Sequence, residues 1–130
     1  MSNLEAIFDD VIDEGSLVKP PIAVLKELAQ GLEKRTQGLL VGKIEQTVYQ
    51  DRSFILDFYI TAPSLNNYSY QVLKINHDID FYPLKVTGSE INSSVQANNQ
   101  KELEDFLKFI ISTPEVKKVI NGLLAQIKSA

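Results

Sequence analysis

"LLVGKIEQTVYQDRSFILDFYI", residues 39–60, decides the fold. Leu40, Gly42, Ile44 and Val48 share one parity, as do Phe54, Leu56, Phe58 and Ile60. A period of two marks a strand with one buried face, because successive side chains point to opposite sides. The intervening Gln50-Asp51-Arg52-Ser53 is a turn signal. An odd-length connection is needed to put both apolar sets on one core, and the residues alone leave the register open. The second faces carry Val41, Lys43, Glu45, Thr47 and Tyr49 on one strand, and Ile55, Asp57, Tyr59 and Thr61 on the other.

Further along, a third strand is expected over Tyr68–Ile75 and a fourth over Ile79–Val86. The apolar phase slips between Val72 and Leu73, and again between Phe81 and Leu84. A β-bulge in each strand accounts for the slips. Pro83 has no N–H for a ladder, which places the fourth strand at a sheet edge. The result is a four-stranded antiparallel meander. The polar stretch that follows, residues 88–100, is long for a structureless loop and leaves room for a short extra strand around Ile91–Val95.

Outside this middle, the period becomes helical. Leu4, Ile7, Phe8, Val11 and Ile12 form one stripe, with Ser2 and Glu5 spaced as a capping box and Gly15 as a stop. A second helix starts at Pro20-Pro21, carries Ile22, Leu25, Leu28, Ala29 and Leu32, and closes with Lys34, Arg35 and Gly38. Two more follow the sheet. One is capped by Asn99 and Glu102 and striped by Leu103, Phe106, Leu107, Ile110 and Ile111. The other starts at Thr113-Pro114-Glu115 and is striped by Val116, Val119, Ile120, Leu123, Leu124 and Ile127. The expected fold is a single two-layer α+β domain over residues 1–130, with two amphipathic helices before the sheet and two after it. Each amphipathic helix is expected on the core face of the sheet or against a neighbouring helix.

Composition narrows the function. The chain is 44% hydrophobic and 23% charged, with a net charge of −4. No basic stripe suited to phosphates is present, so nucleic acid is not an expected partner. No apolar run is long enough to span a bilayer. Cysteine is absent, and the acidic start MSNLEAIFDD lacks the basic region of a secretory signal. Both features point to the cytoplasm.

His77 is the single histidine, followed by Asp78 and Asp80. On one reading these three serve a small metal-dependent enzyme, with the two carboxylates on one strand face as oxygen ligands. The plainer reading is a hairpin turn at Asn76-His77-Asp78. A nucleophile paired with a base is not nominated, since there is no cysteine and no G-x-S-x-G elbow. The glycines form neither a phosphate loop nor a dinucleotide turn. No catalytic residue, metal ligand or cofactor is therefore assigned.

Charge is more informative. Residues 1–15 hold Glu5, Asp9, Asp10, Asp13 and Glu14 and no Lys or Arg, which leaves the rest of the chain at +1. Most of these acids lie toward the C-terminal end of the first helix, where the helix dipole disfavours them. Stability alone does not ask for that placement. It suits a docking surface for a basic partner, although charge runs also occur on faces that are merely solvated. The second sheet face offers another surface, with Tyr49, Ile55 and Tyr59 among polar groups.

The stretches PPIAVLKELAQGLEKRT (residues 20–36), FYITAPSLNNYSYQVLKINHDIDFYPLKV (58–86) and FLKFIISTPEVKKVINGLLAQIKSA (106–130) resemble a family of small bacterial proteins of about this length. That resemblance implies a bacterial origin and carries no activity and no site residues. The expected function is a non-enzymatic protein-interaction module, immunity-, antitoxin- or chaperone-like, and monomeric or homodimeric. It would dock a protein partner through Asp9, Asp10, Asp13 and Glu14, through Tyr49, Ile55 and Tyr59, or through both. A small-molecule or peptide binder with a groove between sheet and helices is the alternative, followed by the enzyme using Asp78, Asp80 or His77.

Overall fold

A computed structural model describes residues 4–13, 18–88 and 94–129. Helices α1 (Leu4–Val11) and α2 (Pro21–Arg35) precede strands β1 (Val41–Val48), β2 (Phe54–Ala62), β3 (Tyr68–His77), β4 (Leu84–Gly88) and β5 (Val95–Ala97). Helices α3 (Gln100–Ile111) and α4 (Pro114–Ser129) follow. The class is α+β, with an antiparallel sheet in the order β1-β2-β3-β4-β5.

The β1–β2 hairpin follows from its pattern. Ile44 pairs with Phe58, Gln46 with Leu56 and Val48 with Phe54, across a connection over Tyr49–Ser53 that is odd in length as required. Leu56, Phe58, Ile60 and Ala62 are all buried on the face that meets the helices. The bulge expected in β3 is present: opposite Phe58 and Tyr59 stand Leu73 and Gln71, and the extra residue is Val72. Val72 and Leu73 are both buried, which is why the apolar phase slips there.

Several expectations need correction. The sheet has five strands, because β4 pairs with β5 through Leu84–Ala97, Lys85–Gln96 and Val86–Val95. β4 is therefore interior, and Pro83 lies just before it instead of marking an edge. No bulge occurs in β4. The span Ile79–Phe81 belongs to the β3–β4 connection, where the Phe81 amide donates to the Asp78 carbonyl, Tyr82 donates to Asp80, and Phe81 has φ +72°. Alternation at Ile79 and Phe81 imitates a strand; Ile79 is exposed. The short extra strand falls at Val95–Ala97, later than the expected Ile91–Val95, and Ile91 itself lies outside the described residues. So do Ser2 and Gly15 of the proposed capping features of α1.

Helix ends follow local chemistry. α2 has Pro20 before it and Pro21 as its first residue. It closes when Gly38 N–H donates to the Glu33 carbonyl at 2.8 Å and Gln37 N–H donates to Lys34 at 3.3 Å, with Gln37 and Gly38 both at positive φ. This is a Schellman closure. Asn99 Oδ1 accepts from the Glu102 amide at 2.9 Å, while the Glu102 carboxylate accepts from the Asn98 amide at 2.9 Å. The pair satisfies free donors at the start of α3. Thr113 Oγ1 accepts from Val116 N–H at the start of α4.

One apolar cluster joins Val24 and Leu25 of α2 to the sheet, to Leu103, Leu107 and Ile110 of α3, and to Val116 and Leu123 of α4. α1 departs from this pattern. None of its residues is buried, contrary to the expectation that every amphipathic helix lies on the sheet or on a neighbour.

Candidate functional site

Three regions can be built from the residues expected to carry function. The first is α1. At 100° per residue, Leu4, Ile7, Phe8, Val11 and Ile12 cover one arc of the helix, and Glu5, Asp9, Asp10 and Asp13 cover the other. Ile12 continues the helical pattern through a 2.8 Å bond from its amide to the Phe8 carbonyl. The five apolar side chains are 54–68% exposed. Asp9 and Asp10 sit in the last turn, where no basic residue offsets the dipole. Glu14 lies outside the described residues. The acidic character was legible in the sequence. That the apolar stripe also faces outward was not, since amphipathic patterning normally signals burial.

The second region is the sheet face away from the helices. Its side chains run in cross-strand rows: Thr47, Ile55, Asn76, Lys85 and Gln96 in one, and Glu45, Asp57, Lys74 and Thr87 in the next. Exposed Lys43, Glu45, Thr47, Lys74, Asn76, Lys85 and Gln96 make this face wet and polar. The expected contact residues fare unevenly here. Tyr49 is exposed beyond the end of β1, Tyr59 is half-buried, and Ile55 is buried at 7% exposure. They do not form one apolar patch.

Tyr59 does have a distinct electrostatic setting. Desolvation, then the nearby Glu45 and Asp57 carboxylates and a hydrogen bond with Glu45, hold its phenol above its ordinary pKa of 10.0. Asp57 also accepts from Gln71 Nε2 at 2.7 Å. Glu45 and Asp57 stand directly opposite each other, an unfavourable like-charge pair. The sign for stability follows. As pH rises past the ordinary phenol range, the unfolded chain releases its tyrosyl proton before the folded one does, so stability falls. Glu45→Gln is expected to lower the Tyr59 pKa toward 10.0, read by ultraviolet titration of tyrosinate. An unchanged titration curve would contradict the assigned cause.

The third region surrounds His77. It is the last residue of β3 and is buried, whereas the sequence suggested a place in the hairpin turn. Its ring stacks on Phe54 with centroids 5.0 Å apart and meets the edge of Phe81 at 5.9 Å. Nδ1 lies 2.7 Å from the Asp78 carbonyl oxygen. A carbonyl only accepts, so Nδ1 carries the proton and Nε2 of the neutral ring keeps its lone pair. His77 lines a shallow cleft of about 290 Å³ with Asp51, Ser53 and Lys85. Ser53 Oγ donates to Asp51 at 2.7 Å, so the serine is engaged there. Asp78 and Asp80 are exposed in the β3–β4 connection and not side by side on a strand. Among the described residues, no group of three or more His, Asp or Glu side chains could hold a metal ion. The aromatic sandwich and the carbonyl contact make His77 a packing residue at the sheet end.

A groove between sheet and helices, expected under the alternative reading without any residue being named for it, lies between α2 and α3–α4. α2 does not close against α3 and α4. Two adjoining hollows of about 380 and 350 Å³ run between them, sharing Glu27, Leu28 and Ile111. Leu32, Phe58, Ile60 and Ile120 complete the apolar lining of the second. No local signal marks such a groove, since its apolar lining residues belong to ordinary helix stripes and to the buried face of β2. No helix among the described residues is long and apolar enough to cross a membrane. No family model, no curated protein and no solved structure matches the chain.

Proposed function

We propose that this protein is an interaction module and that α1 is its docking helix. The observation behind this reading is the row of Leu4, Ile7, Phe8, Val11 and Ile12, each more than half exposed on one face of one helix. Scattered exposed apolar residues are common on any surface, but a contiguous row of five is a recognition feature. Covering it completely is worth about 5–9 kcal/mol, taking 1.5–3 kcal/mol for full burial of each side chain and counting only the exposed part. The acids on the opposite arc keep the helix soluble and steer it toward basic surroundings. An amphipathic helix laid into a groove is a common mode of protein recognition. An immunity-, antitoxin- or chaperone-like role is consistent with such an element. The sheet face that carries Tyr59 is the weaker surface, because its aliphatic residues are already covered, Ile55 fully and Val41 in part.

A photo-crosslinking amino acid at position 8, introduced into the full chain in living cells, tests this reading. Protein adducts are expected from position 8 and not from position 59. Adducts that form at 59 while position 8 stays silent would move the function to the sheet face.

A further inference from the structure

We propose that the outer edge of β1 pairs antiparallel with β1 of a second copy of this chain, centred on Ile44, so that two sheets become one. This surface is separate from α1 and goes beyond its docking role. The two edges of the sheet differ. β5 closes one edge with three residues. β1 forms the other with eight, Val41–Val48, and pairs with β2 without a register shift. A regular edge is a template for another strand, and proteins blunt it with shortness, proline, bulges or charge. β1 is neither short nor bulged, and it holds no proline. Charge is its remaining device, through exposed Lys43 and Glu45. That charge turns out to be self-complementary.

The backbone shows which groups are free. Tyr49 N–H donates to the Ser53 carbonyl at 3.0 Å, and this pair continues the β1–β2 register beyond Val48–Phe54. Bonded and unbonded pairs alternate in an antiparallel ladder. Val41, Lys43, Glu45 and Thr47 therefore turn their N–H and C=O groups toward β2. Gly42, Ile44, Gln46 and Val48 turn theirs outward. Leu40, of the same parity, donates its N–H to Thr36 Oγ1 at 3.1 Å, so the open edge begins at Gly42. Centred on Ile44, two such edges exchange about six backbone hydrogen bonds. Registers that centre between two residues set outward groups against inward ones and form no ladder.

Charge selects both the register and the partner. With the twofold axis on Lys43 or on Glu45, that residue faces its own copy, a like-charge pair. With the axis on Gly42 or Gln46, both charges face uncharged residues. Only Ile44 sets Lys43 of one copy opposite Glu45 of the other, and it does so twice. Both pairs are unbonded ones, in which side chains approach most closely. Among the described residues Lys43 makes no ion pair, and Glu45 faces Asp57 within its own sheet. Pairing gives each a partner of opposite sign. This match is a property of β1 against itself, and it favours a second copy over a strand from another protein.

Sedimentation is expected to give the unaltered chain twice its 14.6 kDa mass. Glu45→Lys sets lysine against Lys43 in both pairs and should weaken self-association on the order of tenfold or more. Adding Lys43→Glu restores opposite charges and should restore the doubled mass. Gln46→Pro removes an outward N–H and spares the β1–β2 ladder, so it should give a single chain mass with unchanged circular dichroism. The chain has no cysteine, which allows a direct check of register. Lys43→Cys and Glu45→Cys chains, differently tagged and mixed under mild oxidation, are expected to form the mixed disulfide. Unbonded pairs hold their Cα atoms about 4.5 Å apart, within disulfide reach.

A monomeric unaltered chain overturns the pairing. So does a mass that stays doubled in Glu45→Lys or Gln46→Pro, or one that stays single in the charge-swapped chain. Loss of fold in Gln46→Pro would contradict the assigned direction of its N–H and remove the free edge. If Phe8→Asp alone halves the mass, the copies meet through α1, and the edge pairing fails while the docking reading stands. If position 8 gives no adducts while the charge swap behaves as stated, the docking reading fails and the edge pairing stands.

Discussion

Phe58→Ala is expected to lower the unfolding free energy by about 3–5 kcal/mol, the cost of removing a buried aromatic ring and leaving a cavity. Phe58 is 1% exposed in the second strand of the sheet, paired with Ile44 on one side and Leu73 on the other. Its ring lies under α2, near position 42, and lines the hollow between α2 and α4. Strand, helix and groove therefore meet on one side chain. A domain of this size has about 5–15 kcal/mol of stability in total, so the loss is a large share. Phe8→Ala is the internal control. Phe8 is 59% exposed, and in the monomer its truncation is expected to cost no more than about 0.5 kcal/mol. Urea unfolding followed by circular dichroism measures both. A cost below about 1 kcal/mol for Phe58→Ala would mean that the core is not organised around this ring.

Gly42→Val tests how closely α2 sits on the sheet, and here two effects oppose each other. Glycine in a strand interior is unfavourable by roughly 0.5–1 kcal/mol, so propensity alone says that valine stabilises β1. Packing says the reverse. A Cβ at position 42 would lie 2.6 Å from Ala29 Cβ, 2.8 Å from Ala29 Cα and 3.1 Å from the Phe58 ring. The Cα of Ala29 is backbone and cannot turn aside, so relief requires moving α2. Overpacking of this kind costs about 1–3 kcal/mol and can cost more, which outweighs propensity. Gly42→Val is expected to be strongly destabilising and Gly42→Ala less so. Adding Ala29→Gly to Gly42→Ala should recover part of the loss, less the roughly 1 kcal/mol that glycine costs inside a helix. A Gly42→Val chain as stable as the original would show that α2 is free to lift.

Gly42 also shows how far the residues alone reach. The rhythm of β1 places it on the core face beside Leu40 and Ile44, but only the crossing of α2 at Ala29 explains the missing side chain. His77 is a similar case. Its neighbours Asn76 and Asp78 are turn formers, so local chemistry argued for a hairpin turn. Pairing with Ile55 and Phe54 carries the strand two residues past Ile75, through Asn76 and His77, and sets the imidazole against two aromatic rings. Strand β5 has three residues and no period of its own, and its place comes from pairing with β4.

The switch from helical to strand period, the helix starts at Pro21, Asn99 and Thr113, the odd β1–β2 connection and the bulge at Val72 were legible in the residues alone. These features rest on contacts within a few residues, or on alternation that a half-buried sheet imposes directly. The tertiary structure alone decided the fifth strand, the interior place of β4, the burial of His77, the open groove, and the outward turn of the α1 stripe. Each depends on which distant surfaces meet, and a periodic apolar stripe records only that a face is suited to burial, not what will cover it.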